Sequence, residues 1–172
     1  DLGVELLLND VVYNEKNIFL RKVTVKNLSN VQRKVKIFFH QQFELYQSHL
    51  GDTAYFDPVD SVIIHYKGQR VFLINLREGA RPFDDWSTGL FGLEEKEGTH
   101  KDAEDGELMK NPIEHGRVDS VLGATLTLEP LGNRTLHYWV IVGKSIGETK
   151  ELNAYVLSRT PDHLMKTTQD FW

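Results

Sequence analysis

The sequence predicts a mainly β protein, an antiparallel β-sandwich followed by a short helical tail. Three observations carry that expectation. Apolar residues recur with period two through most of the chain, clusters of turn-forming residues separate the runs, and from Gly147 onward the period becomes that of a helix. Short β segments punctuated in this way are the pattern of a sandwich.

Residues 4–13 begin the pattern, with Val4, Leu6, Leu8 and Val12 on one face and Glu5 and Asn9 on the other. After the turn at Asn14-Glu15-Lys16-Asn17, residues 18–26 set Phe19, Val23 and Val25 against Lys22, Thr24 and Lys26. The cleanest alternation spans 35–46, where Val35, Ile37, Phe39, Phe43 and Leu45 oppose Lys36, His40, Gln42 and Glu44, as in a long strand buried on one side. Asp57-Pro58 interrupts the short aromatic segment Ala54-Tyr55-Phe56. Residues 62–66 and 71–76 flank Lys67-Gly68-Gln69-Arg70, a hairpin whose glycine takes a positive φ, and the second of these strands is apolar enough to be buried on both faces. Residues 118–128 and 135–142 follow, joined by the proline- and glycine-containing turn 129–134, and Trp139 in mid-strand reads as core. Then residues 148–158 place Leu152, Tyr155 and Val156 at helical spacing, and Thr160-Pro161-Asp162 caps a second helix that runs to Trp172. The expected division is a sandwich over 1–146 and a helical linker over 147–172.

Composition narrows the functions. A chain of 172 residues supports one domain with a sizeable core. A formal net charge of -5 argues against a nucleic-acid surface, which needs a lysine or arginine stripe to release counterions. Cysteine is absent, so neither disulfides nor thiolate metal sites contribute, which fits many secreted proteins as well as the cytoplasmic location expected here. The apolar runs are too short for a membrane-spanning helix. Because the chain opens on Asp1-Leu2-Gly3-Val4 and ends on Phe171-Trp172 without a polar tail, it is expected to be a fragment.

One stretch, 86–122, stands apart. Its central run, 96–107, is crowded with charge and glycine, has neither period, and is longer than ordinary connections. Binding and chemistry tend to sit on such loops when a rigid scaffold presents them. Asp102, Glu104, Asp105 and Glu107 bunch oxygens around Gly106, but their spacing is not that of an EF-hand. The seven histidines are scattered, with no two at the i, i+4 spacing of a helical zinc site, so no metal is expected. Ser87 and Ser120 lack the glycine-flanked setting of a nucleophile elbow.

The combination of Gly98-Thr99-His100-Lys101-Asp102-Ala103-Glu104-Asp105-Gly106, Asn111-Pro112-Ile113 and Val118-Asp119-Ser120 resembles the N-terminal β-sandwich of prokaryotic glycoside hydrolase family 15, the glucoamylase and glucodextranase group. Leu136-His137-Tyr138-Trp139, Gly143-Lys144-Ser145 and the helical run to Asp170-Phe171-Trp172 resemble that family's passage from sandwich to barrel. The resemblance covers essentially the whole chain. It implies a super-β-sandwich of galactose-mutarotase-like architecture, serving as an accessory domain to an (α/α)6 barrel that hydrolyses α-glucosidic bonds. It implies no cofactor. The acid and base of such enzymes are two barrel glutamates, so no residue here is expected to be catalytic; Glu94, Glu95, Asp102, Glu104 and Asp105 are read as support or rim rather than the carboxyl pair an inverting enzyme needs.

Under this reading the loop faces substrate or barrel through Thr99, His100, Lys101, Asp102, Glu104, Asp105, Asn111 and His115, and Trp86 offers a ring for sugar stacking. The expected partners are the chain's own barrel and an α-glucan or α-glucoside. The Leu164, Met165 and Phe171 stripe is expected to meet the barrel. Strands missing upstream would leave an unpaired edge open to another copy. A free-standing carbohydrate-binding module is the competing reading, and a structural or adhesion domain a third.

Overall fold

A computed structural model of the chain describes residues 2–48, 50–93 and 96–172. It is an antiparallel β-sandwich with helices on one outer face, as the periodicity predicts. The larger sheet has the order β1 (Val4–Val12), β2 (Ile18–Asn27), β12 (Asn133–Gly143), β6 (Arg70–Glu78), β5 (Val62–Lys67), β4 (Asp52–Asp57) and β10 (Ile113–Gly116), with the short β7 (Arg81–Pro82) folded back on the end of β6. The smaller sheet has the order β3 (Arg33–Gln42), β11 (Val118–Leu128), β8 (Asp85–Leu93) and β9 (Lys96–Glu97). At Gly116, held at φ +124°, the chain leaves β10 in one sheet and enters β11 in the other within two residues.

Alternation explains where the side chains go. Ile74 and Leu76 of β6 point between the sheets to meet Val23, Leu122, Leu126 and Leu136, while Val71 and Leu73 point to the opposite face. The strand is therefore apolar on both sides, as its composition requires. The hairpin before it turns at Gly68, φ +53°, with Lys67 and Arg70 paired.

On the outer face of the larger sheet lie α2 (Ile146–Arg159) and α3 (Pro161–Phe171). The Ser145 side chain caps α2 by accepting from Glu148 N at 3.1 Å, and Thr160 caps α3 by accepting from His163 N, with Pro161 at the first helical position. Val156, Leu164 and Met165 pack on Ile18, Leu20, Leu73, Trp139 and Ile141. Asn153 Oδ1 accepts from Trp139 Nε1 at 3.0 Å and Asn75 Nδ2 at 3.1 Å, and the buried Thr149 and Thr168 hydroxyls donate to the Ile146 and Leu164 carbonyls. The expectation that Leu164 and Met165 face a barrel is corrected here. Both are buried on the chain's own sheet, and of that stripe only Phe171 stays exposed, beside Trp172.

Three further boundaries differ from the sequence reading. Strand β3 ends at Gln42 rather than residue 46, because Leu45–Gln47 forms a single turn with Tyr46 and Gln47 at positive φ, held by Lys67 Nζ donating to the Leu45 and Ser48 carbonyls. Residues 52–57 form a full strand before the Asp57-Pro58 break. The beginning of the supposed loop, 85–93, is an interior strand of the smaller sheet. One side of the sandwich is open: β1 and β3 are edge strands, and Leu6 and Leu8, 45% and 55% exposed, look across a groove at Ile37. The edge of β1 has no neighbouring strand among the described residues.

Candidate functional site

The segment between β8 and β11 covers the outer face of the smaller sheet. After β9, Gly98 at φ +118° turns the chain into α1 (Thr99–Asp102) and a 3₁₀ turn, Ala103–Asp105, closed by Gly106 at φ +89°. The sheet holds this segment at three points. Asp119 Oδ2 accepts from Thr99 N at 2.7 Å. Lys36 Nζ donates to Asp85 Oδ2 at 2.6 Å and to the Gly106 carbonyl at 2.7 Å, while Asp85 Oδ2 also accepts from Leu108 N at 3.1 Å. Asn111 then lies along the edge of β8, its carbonyl accepting from Thr88 N at 3.1 Å and Thr88 Oγ1 at 2.9 Å, and its Nδ2 donating to the Thr88 carbonyl at 3.1 Å. The next residues join β4, so this segment stitches the two sheets together.

Between the segment and the edge of β8 lies an open cleft of about 740 Å³, whose rim includes Thr99, Lys101, Asp102, Lys110, Asn111 and Glu114. Four residues expected at a binding loop, Thr99, Lys101, Asp102 and Asn111, thus share one concavity. Thr99 is buried and its Oγ1 has no hydrogen-bond partner. Asp102 Oδ2 accepts from Met109 N at 2.9 Å, and Lys101 sits between Glu97 and Glu104, which hold its ammonium pKa above the usual lysine value. Asp105 accepts from Glu107 N, so the loop carboxylates turn to separate partners rather than to one centre.

His100 lies outside the cleft lining, its ring edge-on to His40 at 5.7 Å. His115 is on β10, 2.8 Å from Thr53 Oγ1, and also lies outside the lining. Trp86 is not on a loop: it is half-buried in β8 with Phe56 stacked 4.0 Å from its ring, so that face is closed to a sugar. Glu94 and Glu95 lie outside the described residues.

The sequence reading missed what lies beneath the loop. His40 from β3, His100 from α1 and Asp119 from β11 bring one donor atom each within 4.8 Å of one another. Next to them, on the interior face, His65 Nε2 is 2.8 Å from Ser120 Oγ, which donates to Gln41 Oε1 at 3.1 Å. Complete burial pushes the His65 imidazole pKa down to about 3 despite the nearby Asp119, and His40 adds to that depression. This serine and histidine are sealed from any substrate, and the hydroxyl is committed to Gln41, so the pair is structural. Only the polar residues inside strands otherwise apolar, Gln41, His65, Asp119 and Ser120, hinted at this network.

No family model and no curated protein matches the chain. Solved structures do. A bacterial glucoamylase complexed with acarbose superposes over 98% of this chain with a TM-score of 0.72 at 8% identity, and a protein given as a kojibiose phosphorylase from the human microbiome over 98% with a TM-score of 0.56 at 11% identity. The chain spans 25% and 21% of those two chains. At such identities the likeness is one of fold.

Proposed function

We propose that this chain is the accessory sandwich domain of a glucoamylase-like glycoside hydrolase, one that supports and helps shape the active site of a downstream (α/α)6 barrel and is not catalytic by itself. The observation that carries the reading is the superposition of nearly the entire chain, helices included, on about a quarter of a bacterial glucoamylase. The site chemistry agrees with a supporting role. The cleft offers hydrogen-bonding groups of both signs, suited to hydroxyls. Thr99, Lys101, Asp102 and Asn111 are the residues we assign to the face turned toward substrate or barrel.

Glucose release from a panel of α-glucosides, measured for this chain and for a longer chain extended past Trp172, tests the reading. Release by the longer chain alone is the expected result; absence of release from both would remove the glucoamylase assignment. The cleft also favours a second reading, a carbohydrate-binding module in its own right, for which saturable binding of maltodextrins to the 172-residue chain is the expected signature.

A further inference from the structure

We propose that His40, His100 and Asp119 bind a first-row divalent transition-metal ion, with Zn²⁺ the best match, which clamps α1 to the smaller sheet. This inference stands apart from the carbohydrate reading.

The three residues come from separate elements and are far apart in sequence, yet their donor atoms lie within 4.8 Å of one another. His40 Nε2 and Asp119 Oδ2 are 2.8 Å apart. Tetrahedral zinc with bonds near 2.0–2.1 Å separates its ligands by roughly 3.3 Å, so the site forms when the hydrogen-bonded His40–Asp119 pair opens slightly to admit the ion and the exposed His100 swings toward it.

Asp119 supplies the second observation. It is fully buried, its Oδ1 has no hydrogen-bond partner, and among the described residues it pairs with no lysine or arginine, only with His40. A buried carboxylate left in that condition is costly, and a bound dication supplies the missing opposite charge. A Cβ built on Gly98 would lie 2.6 Å from Asp119 Oδ2 and 3.0 Å from His100 Nδ1, and one on Gly89 would lie 3.2 Å from Asp119 Oδ1. Glycine at these positions lets the backbone pass close to the ligands without a side chain displacing them.

The donor set selects the ion. Two imidazoles with one carboxylate suit zinc and its neighbours, whereas calcium and magnesium prefer all-oxygen shells. Thr99 N donating to Asp119 Oδ2 at 2.7 Å supplies an outer-shell bond that orients the carboxylate. With three protein ligands, one position is left for water or a ligand group. Gly98 and Thr99 lie between the cluster and the cleft, so occupancy would set the cleft's rim.

The test is calorimetric titration of the untagged, metal-free chain with zinc chloride, with hydrogen exchange of residues 98–102 as a second readout. One Zn²⁺ per chain and slowed exchange over 98–102 are expected. His100→Ala, a change at an exposed position, should weaken binding by more than the roughly 10–100-fold that loss of an outer-shell partner costs. His163→Ala, on the exposed side of α3, should bind as the unaltered chain does. No binding, or equal binding by the His100→Ala and unaltered chains, would overturn the proposal.

Discussion

The helices covering the larger sheet bury Val156, Leu164 and Met165 against Trp139, whereas the segment covering the smaller sheet buries Asp85, Ser87, Thr99 and Asp119. Both covers close the outer face of a sheet, but the physics differs. The helical cover gains stability from apolar area removed from water, with Asn153 accepting from the Trp139 and Asn75 side chains it encloses. Under the polar cover, desolvation of carboxylates roughly offsets the hydrogen bonds and ion pairs they make, so the arrangement defines one geometry more than it adds stability. The comparison separates a face closed by apolar burial from one closed by polar contacts, and it can be broken or sharpened by substitution.

Trp139→Ala should cost the most, about 3–5 kcal/mol in urea unfolding, because it opens a cavity under α2 and removes one of the two donors to Asn153 Oδ1. A loss under about 1 kcal/mol would mean that the helical layer is not the anchor described. Asp85→Ala should cost about 2–3 kcal/mol, since Leu108 N loses its acceptor and Lys36 loses its carboxylate partner and keeps only the Gly106 carbonyl, and it should open the 99–110 segment to protease while leaving the helices protected. If cleavage fell in α3 instead, the two covers would not be independent.

Acid should act through His65. Its folded pKa, near 3, lies below the unfolded value of 6.5, so the unfolded chain binds the proton first. The stabilisation is complete above pH 6.5 and is lost progressively as pH falls toward 3. Between pH 7 and 5 this removes on the order of 2 kcal/mol. Aspartates 10, 57 and 162, whose pKa values are lowered by Arg21, by Lys150 and by Lys22, add their own losses only at more acidic pH. Denaturant unfolding of His65→Gln across pH 5–7 should show a flattened slope; an unchanged slope would assign the effect to another group.

The smallest effect on stability is expected for Asp102→Ala, about 1 kcal/mol or less, from the lost Met109 N contact. Combined with Asp105→Ala it should leave the sandwich nearly intact, yet lower the activity of a complete enzyme. A large fall in Tm of the 172-residue chain would erase that distinction between holding the fold and shaping a site.

Period-two alternation, turn residues and the capped tail determined the sandwich, the Lys67–Arg70 hairpin and both helices, because these follow from local steric preference and from which face of an element is apolar. The loop was legible as a place of interest from its charge and glycine content alone, and four of its expected residues do share a cleft. Strand β8 was not legible, since three of its four buried positions are the polar Asp85, Ser87 and Thr88, and the two hydroxyls among them bond to Asn111 from a segment that arrives more than twenty residues later. Nor was the direction of the α3 stripe, because an apolar helical face specifies burial but not the surface it meets. The histidine and aspartate cluster is the extreme case. His40, His100 and Asp119 lie on different elements, and only the stacking of α1 on the smaller sheet brings them together. Local chemistry determined which elements form and which faces are buried; tertiary packing alone decided which distant polar groups share a space, since no short-range periodicity encodes that meeting.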